Sequence, residues 1–582
     1  MKSIGVTSSI VRLTMFFLIL CTALINAERV KPRVIATTDG EIDDLSTMVR
    51  FLLYSCDFDV AGIIQNNSVF QRSGHSKDKA DKLRGHSAKG PWFPVMMDAY
   101  KSIVPQLKKH NPDYPTAEYL TSVMRVGNEN PSDIPDRNAR PYKPKDPSTH
   151  KTKNTEGEQL IVKVLTDDDP RGVHISCWGG ANTVAAALWT IKNSKELTPE
   201  QIKKALSKAH IYCIWYQDGG GSWIEENVKE ATIWEAYGWH KTWDYGSLKG
   251  NPKEVAAYMT EAWMKENQIN NHGPLAALTP QGYVSEGDTP SWLHMINNGL
   301  EAHVDYTLGG WGGRPICASP DTKPNYLQDD LGCHSYPGCH SKQAIKDDGV
   351  VQKANWRWTI AAQNDFAARL DWCVKEYAEA NHAPIAAFNG TTVNDGPPIL
   401  RLEAIPGQTV SLDAAGSTDP DKHTLSYKWW VYKEAGTYGR DVEIKDAATQ
   451  KASITVPADA LGKTIQVLIE VTDNGEPPLK NWRRAMIEVK SVTDINKNRL
   501  QGSMKSMVIR SSKTTANGLT TVSLPKQFGT DSRITLYSIS GKSIPFAILP
   551  SKANRTITYR SNGIAFIKVI TKQETAVFKV LQ

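Results

Sequence analysis

Between about Arg33 and Ala383, short apolar runs alternate with stretches in which apolar residues recur every three to four positions. This is the pattern of strands feeding amphipathic helices in an α/β layer. Val34–Thr38 predicts a first strand, the spacing of Leu45, Met48, Val49 and Leu52 predicts a helix, and Phe58–Ile64 predicts a second strand. The region therefore opens with a βαβ unit. Val173–Cys177 and His210–Trp215 predict further strands, each followed by glycines, Gly179-Gly180 and Gly219-Gly220-Gly221. A sheet built this way is open and mainly parallel, and ligands bind outside the carboxyl ends of its strands.

After Ala383 strand follows strand with turn residues between: Thr409–Leu412, Leu425–Tyr432, Ala452–Val456, Ile465–Thr472 and Ala485–Lys490. That rhythm predicts an all-β sandwich. From about Ser491 a third, β-rich block carries strands near Ile534–Tyr537, Ile564–Ile570 and Ala576–Leu581. The predicted organisation is a leader over 1–27, an α/β domain over 28–383, a sandwich over 384–492 and a C-terminal β domain over 493–582.

Lys2 and Arg12 ahead of an apolar stretch from Leu13 to Leu20, with a small residue at Ala27, predict a secretory signal peptide and a mature chain starting near Glu28. Leu20 stands where lipoprotein processing through Cys21 wants a small residue. No later apolar run reaches the roughly 18 residues a spanning helix needs. The expectation is an exported protein, periplasmic, surface-attached or extracellular. At 582 residues, 40% hydrophobic and 22% charged, the chain is ordinary globular material, too long for one core. Losing Lys2 and Arg12 lowers the formal charge from +6 to +4 with no basic block, so nucleic acid is not an implied partner. Cys56, Cys177, Cys213, Cys317, Cys333, Cys339 and Cys373 remain, an odd number that leaves a free thiol. Cys333 and Cys339 enclose a short Gly/Pro loop suited to a local disulfide; His334 and His340 beside them leave a zinc reading open.

The segment VIATTDGEIDDLSTMVRFLL places Asp39, Glu41, Asp43 and Asp44 between a strand end and a helix start. Capping a helix needs one acid, and a helix dipole stabilises each by up to about 1 kcal/mol. Four carboxylates so close call for more compensation, and a hard divalent cation such as Ca²⁺ supplies it.

TTDGEIDDL resembles the Asp-x-Asp-Pro-Gly-x-Asp-Asp signature of the inosine-uridine nucleoside hydrolase fold. With YPTAEYLTSVMRVGN, WGGANTVAAAL, EGDTPSWLHMINNGL and GGWGGRP, the region 33–383 is similar to the nucleoside hydrolase-like domain of a bacterial family named for a cellulose-binding protein. That family's all-β C-terminal domain falls on about 384–492. Within it, SLDAAGSTDPDKHTLSYKWWVYK resembles PKD-type, immunoglobulin-like modules, with Asp413, Gly416, Ser417 and Asp419 shaping a turn before Trp429. ITLYSISGKSI and SNGIAFIKVITKQETAVFKVLQ resemble the sorting domain of type IX secretion substrates; a plain small β-sandwich accounts for them equally.

The resemblance implies Asp39 as general base and Ca²⁺ ligand, Asp44 as bidentate ligand and Asp43 as holder of sugar hydroxyls. It adds the Trp178 carbonyl and Asp288 as further metal ligands. A water activated by the ion would pass its proton to Asp39 and attack an oxocarbenium-like anomeric carbon. Asn66 and Asn67 end the second strand, where a ribose-contacting Asn is expected, although an Asn pair also forms turns. Glu225 and Asn227 have the Glu-x-Asn spacing of a sugar-hydroxyl site. Gln217 and Asp218 are placed to line the same cleft, and Trp223 and Trp311 are aromatic rings available for sugar stacking or for packing.

Thr37 departs from the signature, as does Gly40-Glu41. Gly287 stands where many nucleoside hydrolases carry a His that helps the base leave, with His174, His272 and Glu286 as stand-ins. Two functions follow. One is an exported, Ca²⁺-dependent glycosyl hydrolase acting on an N-riboside or other small glycoside; the other is a non-catalytic protein binding cellulose or another polysaccharide through a structural metal site. Adhesion through the β domains alone is a third. The resemblance also raises a homo-oligomer.

Overall fold

The computed structural model describes residues 30–72, 92–243, 250–280, 286–317, 319–330 and 345–491, and the backbone of strand segments within 507–581. The leader and the Cys333–Cys339 pair lie outside the described residues.

The α/β region is built on β1 (Arg33–Thr38), α1 (Ile42–Leu53), β2 (Asp59–Gln65), α2 (Trp92–His110), β3 (Met124–Val126), α3 (Glu156–Thr166) and β4 (Val173–Cys177). It continues with α4 (Asn182–Lys192), α5 (Pro199–Ser207), β5 (Ala209–Ile214), α6 (Gly219–Asn227), β6 (Thr232–Ala236), β7 (Ile316–Cys317), β8 (Tyr326–Gln328) and α7 (Thr359–Asp371). One eight-stranded sheet runs β3-β2-β1-β4-β5-β6-β8-β7. Neighbouring strands are parallel from β3 to β8, and the edge strand β7 is antiparallel. The α/β sheet expected from the pattern is present.

β1 is buried along its whole length. Its alternating side chains feed two layers: Val34 and Ala36 enter the core with α1, α2 and α7, while Ile35 joins the opposite core with α3 and α4. In the first layer Phe51 of α1 stacks on Phe58 at 5.3 Å and meets Trp178 and Trp292 edge-on at 5.7 and 5.6 Å. Burying such a ring is worth about 1.5–3 kcal/mol. The contact ties α1 to the turn after β4 and to the segment after Asp288. Arg50 of α1 is fully buried, gives Nε and Nη2 to the Glu286 carboxylate at 2.7 and 3.1 Å, and lies 3.8 Å from the Phe366 ring centre on α7.

A hairpin of β9 (Lys346–Asp347) and β10 (Val350–Val351) precedes the sandwich. The sandwich strands are β11 (Leu400–Ala404), β12 (Thr409–Asp413), β13 (Ser426–Val431), β14 (Ile444–Lys445), β15 (Lys451–Thr455), β16 (Thr464–Thr472) and β17 (Lys480–Val489). They form sheets β11-β17-β16-β13 and β12-β15-β14 around Trp429, Ile454, Val467, Ile469 and Ile487. The seam with the α/β region is core-like: Tyr432, Leu468 and Trp482 share its hydrophobic cluster. Arg484, fully buried, donates to the carbonyls of Leu300, Leu308 and Gly309 at 3.0, 2.7 and 2.7 Å.

Further on, Met507–Arg510, Arg533–Ser538, Ala565–Ile570 and Thr575–Leu581 form one sheet. Lys513–Thr514, Leu519–Ser523, Phe546–Leu549 and Thr556–Arg560 form another. Among the described residues, no helix is long and apolar enough to cross a membrane.

Candidate functional site

Strand order reverses between β1 and β4: β2 and β3 lie on one side of that pair, β5 and β6 on the other. A crevice opens at the carboxyl ends of strands at such a point. Thr38 ends β1, Gly40 turns the chain with φ of 74°, and α1 starts after Glu41 with Asp43 and Asp44 in its first turn. Asp44 Oδ1 accepts the Thr38 hydroxyl at 2.5 Å and the Asp39 N–H at 3.1 Å, and Asp39 Oδ1 accepts the Glu41 N–H at 3.4 Å. These bonds curl the acidic turn on itself and orient its carboxylates.

Asp288 arrives from far along the chain. One oxygen from each of Asp43, Asp44 and Asp288 lies within 4.8 Å of the others. Asp39, Asp43, Asp44 and Asp288 are only 1, 8, 2 and 2% exposed, so water screens them little. Burial, then the neighbouring carboxylates, holds the acids of Asp44 and Asp288 well above the ordinary range. Asp39 Oδ2 and Asp288 Oδ2 are buried without a hydrogen-bond partner. An all-oxygen donor set with excess negative charge fits a hard cation such as Ca²⁺.

Gly179 keeps this arrangement open on the β4 side. A Cβ there would come within 2.7 Å of Asp39 Cβ and Cγ and 2.8 Å of its Oδ2. The Trp178 carbonyl, expected as a ligand, accepts the Gln217 side-chain amide at 2.6 Å.

The two asparagines differ. Asn66, fully buried, gives Nδ2 to the Gly180 carbonyl at 2.7 Å and keeps Oδ1 without a partner. Asn67 spends its amide on bracing, accepting from Asn182 Nδ2 at 2.9 Å and donating to the Arg72 carbonyl at 3.2 Å.

Glu225 and Asn227, expected at the sugar, are placed elsewhere. They sit in the last turn of α6, where Glu225 pairs with Lys323 and Asn227 Nδ2 caps the Trp223 carbonyl at 2.9 Å. A helix between parallel strands runs back across the sheet, so α6 starts at the crevice edge and ends at the opposite one. Its start belongs to Asp218, which accepts the N–H groups of Gly220 and Asn182 at 2.7 and 2.9 Å. Burial pushes the Asp218 acid up to about 6.

None of the proposed stand-in acids joins the cluster. Glu286 is held by Arg50. His272 Nε2 lies 3.4 Å from Asp371, and His174 is buried against Tyr306 and His294 at 3.1 and 3.4 Å. Trp223 and Trp311 pack in the cores. The space beside Gly287 is taken by an indole that sequence reading missed: a Cβ there would lie 2.8 Å from Trp239 Cζ3 and 3.1 Å from Asp43 Oδ2. Nothing in the spacing around Trp239 announces this, because the contact spans a long stretch of chain.

The family model for the nucleoside hydrolase-like domain of cellulose-binding Sde182 matches residues 33–314, and that for the C-terminal domain of cellulose-binding protein Sde0182 matches 409–489. A solved nucleoside hydrolase-related protein from Saccharophagus degradans, described as associated with carbohydrate metabolism, is 30% identical. The match covers 79% of this chain and all of that one, with a TM-score of 0.61. A plant nucleoside hydrolase matches 59% of this chain and 98% of its own at 13% identity, with a TM-score of 0.26. No curated protein matches the chain.

Proposed function

We propose, for a chain that belongs to the cellulose-binding Sde182 family with its nucleoside hydrolase-like domain, that the acidic crevice between β1 and β4 binds Ca²⁺ and hydrolyses a glycosyl bond of a small glycoside. The observation that carries this is the convergence of Asp43, Asp44 and Asp288 oxygens within 4.8 Å of one another, with Oδ2 of Asp288 and Oδ2 of Asp39 in the adjoining turn both buried without a hydrogen-bond partner. Asp39, Asp44 and Asp288 would hold the ion, with the Trp178 carbonyl a ligand only through the lone pair its Gln217 bond leaves. Bound there, the ion supplies positive charge that acidifies a water and offsets the repulsion among the acids. Asp39 offers Oδ2 to take the proton of the attacking water, since its Oδ1 faces the Glu41 N–H. Asp43 and Asn66 Oδ1 accept sugar hydroxyls. The leader pattern, from Lys2 to Ala27, supports action outside the cytoplasm.

A second reading, polysaccharide binding without turnover, is favoured by one observation: Trp239 fills the space at Gly287, and His174, His272 and Glu286 are engaged away from the cluster. The two separate on p-nitrophenyl riboside, whose leaving group needs little acid assistance. Turnover that requires Ca²⁺, is lost with chelator and falls in Asp39→Asn by at least about a hundredfold is the expected result. Ca²⁺ bound with no turnover on riboside or glucoside, together with retention on cellulose, would instead establish the binding reading.

A further inference from the structure

A second group of metal-binding side chains lies in the sandwich, in the loop Asp419-Pro420-Asp421-Lys422-His423 between β12 and β13. Ligand atoms of Asp419, Asp421 and His423 lie within 4.8 Å of one another. The Asp419 side chain is 1% exposed. Its Oδ1 accepts the N–H groups of Asp421 and His423, each at 2.9 Å, while its Oδ2 is buried without a partner. His423 Nδ1, 3.7 Å from Asp419 Oδ1, also has no hydrogen-bond partner. A buried carboxylate oxygen left without a donor costs free energy unless something positive meets it. The neighbouring Asp473 is held by bonds of its own: Oδ1 accepts the Gly475 and Leu479 N–H groups and Oδ2 the Asn381 amide.

We infer that Asp419, Asp421 and His423 form a site for a first-row transition cation of the zinc class, separate from the crevice of the α/β region. Two carboxylates with one imidazole suit Zn²⁺, whereas Ca²⁺ seeks six to eight oxygens. The placement gives the ion a structural consequence. Asp421 also accepts the His382 backbone N–H at 2.7 Å, and its Oδ1 lies 3.0 Å from His382 Nδ1. His382 Nε2 in turn lies 3.0 Å from His110 Nδ1, at the end of α2. A cation on this loop therefore fixes one of the contacts between the sandwich and the α/β region.

The test is equilibrium dialysis of the full mature chain against Zn²⁺ alone and Ca²⁺ alone, with Asp419→Asn, His423→Gln and, as a control for the other cluster, Asp44→Asn. His423 is one-third exposed, so its replacement leaves packing intact and keeps the test valid if Asp419→Asn folds poorly. The expected result is a zinc-binding step weakened at least about tenfold in Asp419→Asn and His423→Gln and unchanged in Asp44→Asn. Zinc should also raise the melting temperature of the native chain and of Asp44→Asn but not of His423→Gln. Zinc binding identical in the native chain and His423→Gln, no zinc bound, or a Ca²⁺-binding step tighter than the zinc step and lost in Asp419→Asn and His423→Gln would each overturn the inference.

Discussion

Glu286 lies two residues before Asp288, and replacing it with Gln separates structural support from acid catalysis. Its carboxylate accepts two nitrogens of Arg50, at 2.7 and 3.1 Å, and also the Thr289 hydroxyl at 3.0 Å. The side chains of Arg50 and Glu286 are 0 and 5% exposed. In Glu286→Gln the shape is kept but the buried guanidinium loses its counter-charge. Breaking a buried pair by neutralising one partner costs about 3–5 kcal/mol, because the remaining charge is left uncompensated. Replacing both partners, as in Arg50→Met with Glu286→Leu, removes that charge and should recover most of the loss. Guanidinium denaturation followed by tryptophan fluorescence reads both values. A loss below about 1 kcal/mol in Glu286→Gln, or a double variant as unstable as the single, would refute the assignment of Glu286 as the anchor of Arg50. If Glu286 were the acid that aids the leaving group, Glu286→Gln would instead lower turnover of poor leaving groups at unchanged stability.

Gly179→Ala drives a methyl to within 2.7 Å of the Asp39 side chain, so calorimetry should show Ca²⁺ affinity reduced at least about tenfold, with about 1–3 kcal/mol of overpacking cost; unchanged affinity would remove Asp39 from the ion site. His174 and His294 are buried, with pKa values held well below the ordinary range by desolvation and then by neighbouring imidazoles. The unfolded chain then binds protons the folded one refuses, so stability is complete above about pH 6.5 and is lost as pH falls, by up to about 1.4 kcal/mol per pH unit for each excluded proton. Denaturation at pH 7.5 and 5.5 should show this slope reduced in His294→Phe, and an equal slope would count against the burial argument.

Much of the α/β sheet was legible because its strands are buried on both faces and read as apolar runs, as in Val34–Thr38 and Val173–Cys177. β6 was not, and the reason is chemical. Glu235 stands next to its end and cuts the run short, yet it is fully buried, accepting the Tyr237 and Tyr326 hydroxyls at 2.8 and 2.5 Å. Its partner on β8 is distant in sequence, so no local pattern shows that the charge is satisfied. The short β3 and the parallel pairing of β11 with β17 escaped for a similar reason: their stability comes from neighbours, not from their own periodicity.

Local sequence by itself determined the acidic turn, since strand end, glycine and helix start set Asp39, Asp43 and Asp44 within a single turn that Asp39 and Asp44 brace by accepting the Thr38 hydroxyl and the Asp39 and Glu41 N–H groups. It also determined which chemistry those residues favour. Only the tertiary structure decided which distant groups join them. Strand order placed Gly179 against Asp39, the Arg50–Glu286 pair and the Phe51–Trp292 contact secured the segment bearing Asp288, and Trp239 took the space at Gly287. The reversed run of α6 carried Glu225 and Asn227 to the far edge of the sheet despite their suggestive spacing. Spacing along a chain fixes neighbours within a turn or two, whereas neighbours across a sheet depend on which strands pair and on buried contacts whose partners lie hundreds of residues apart.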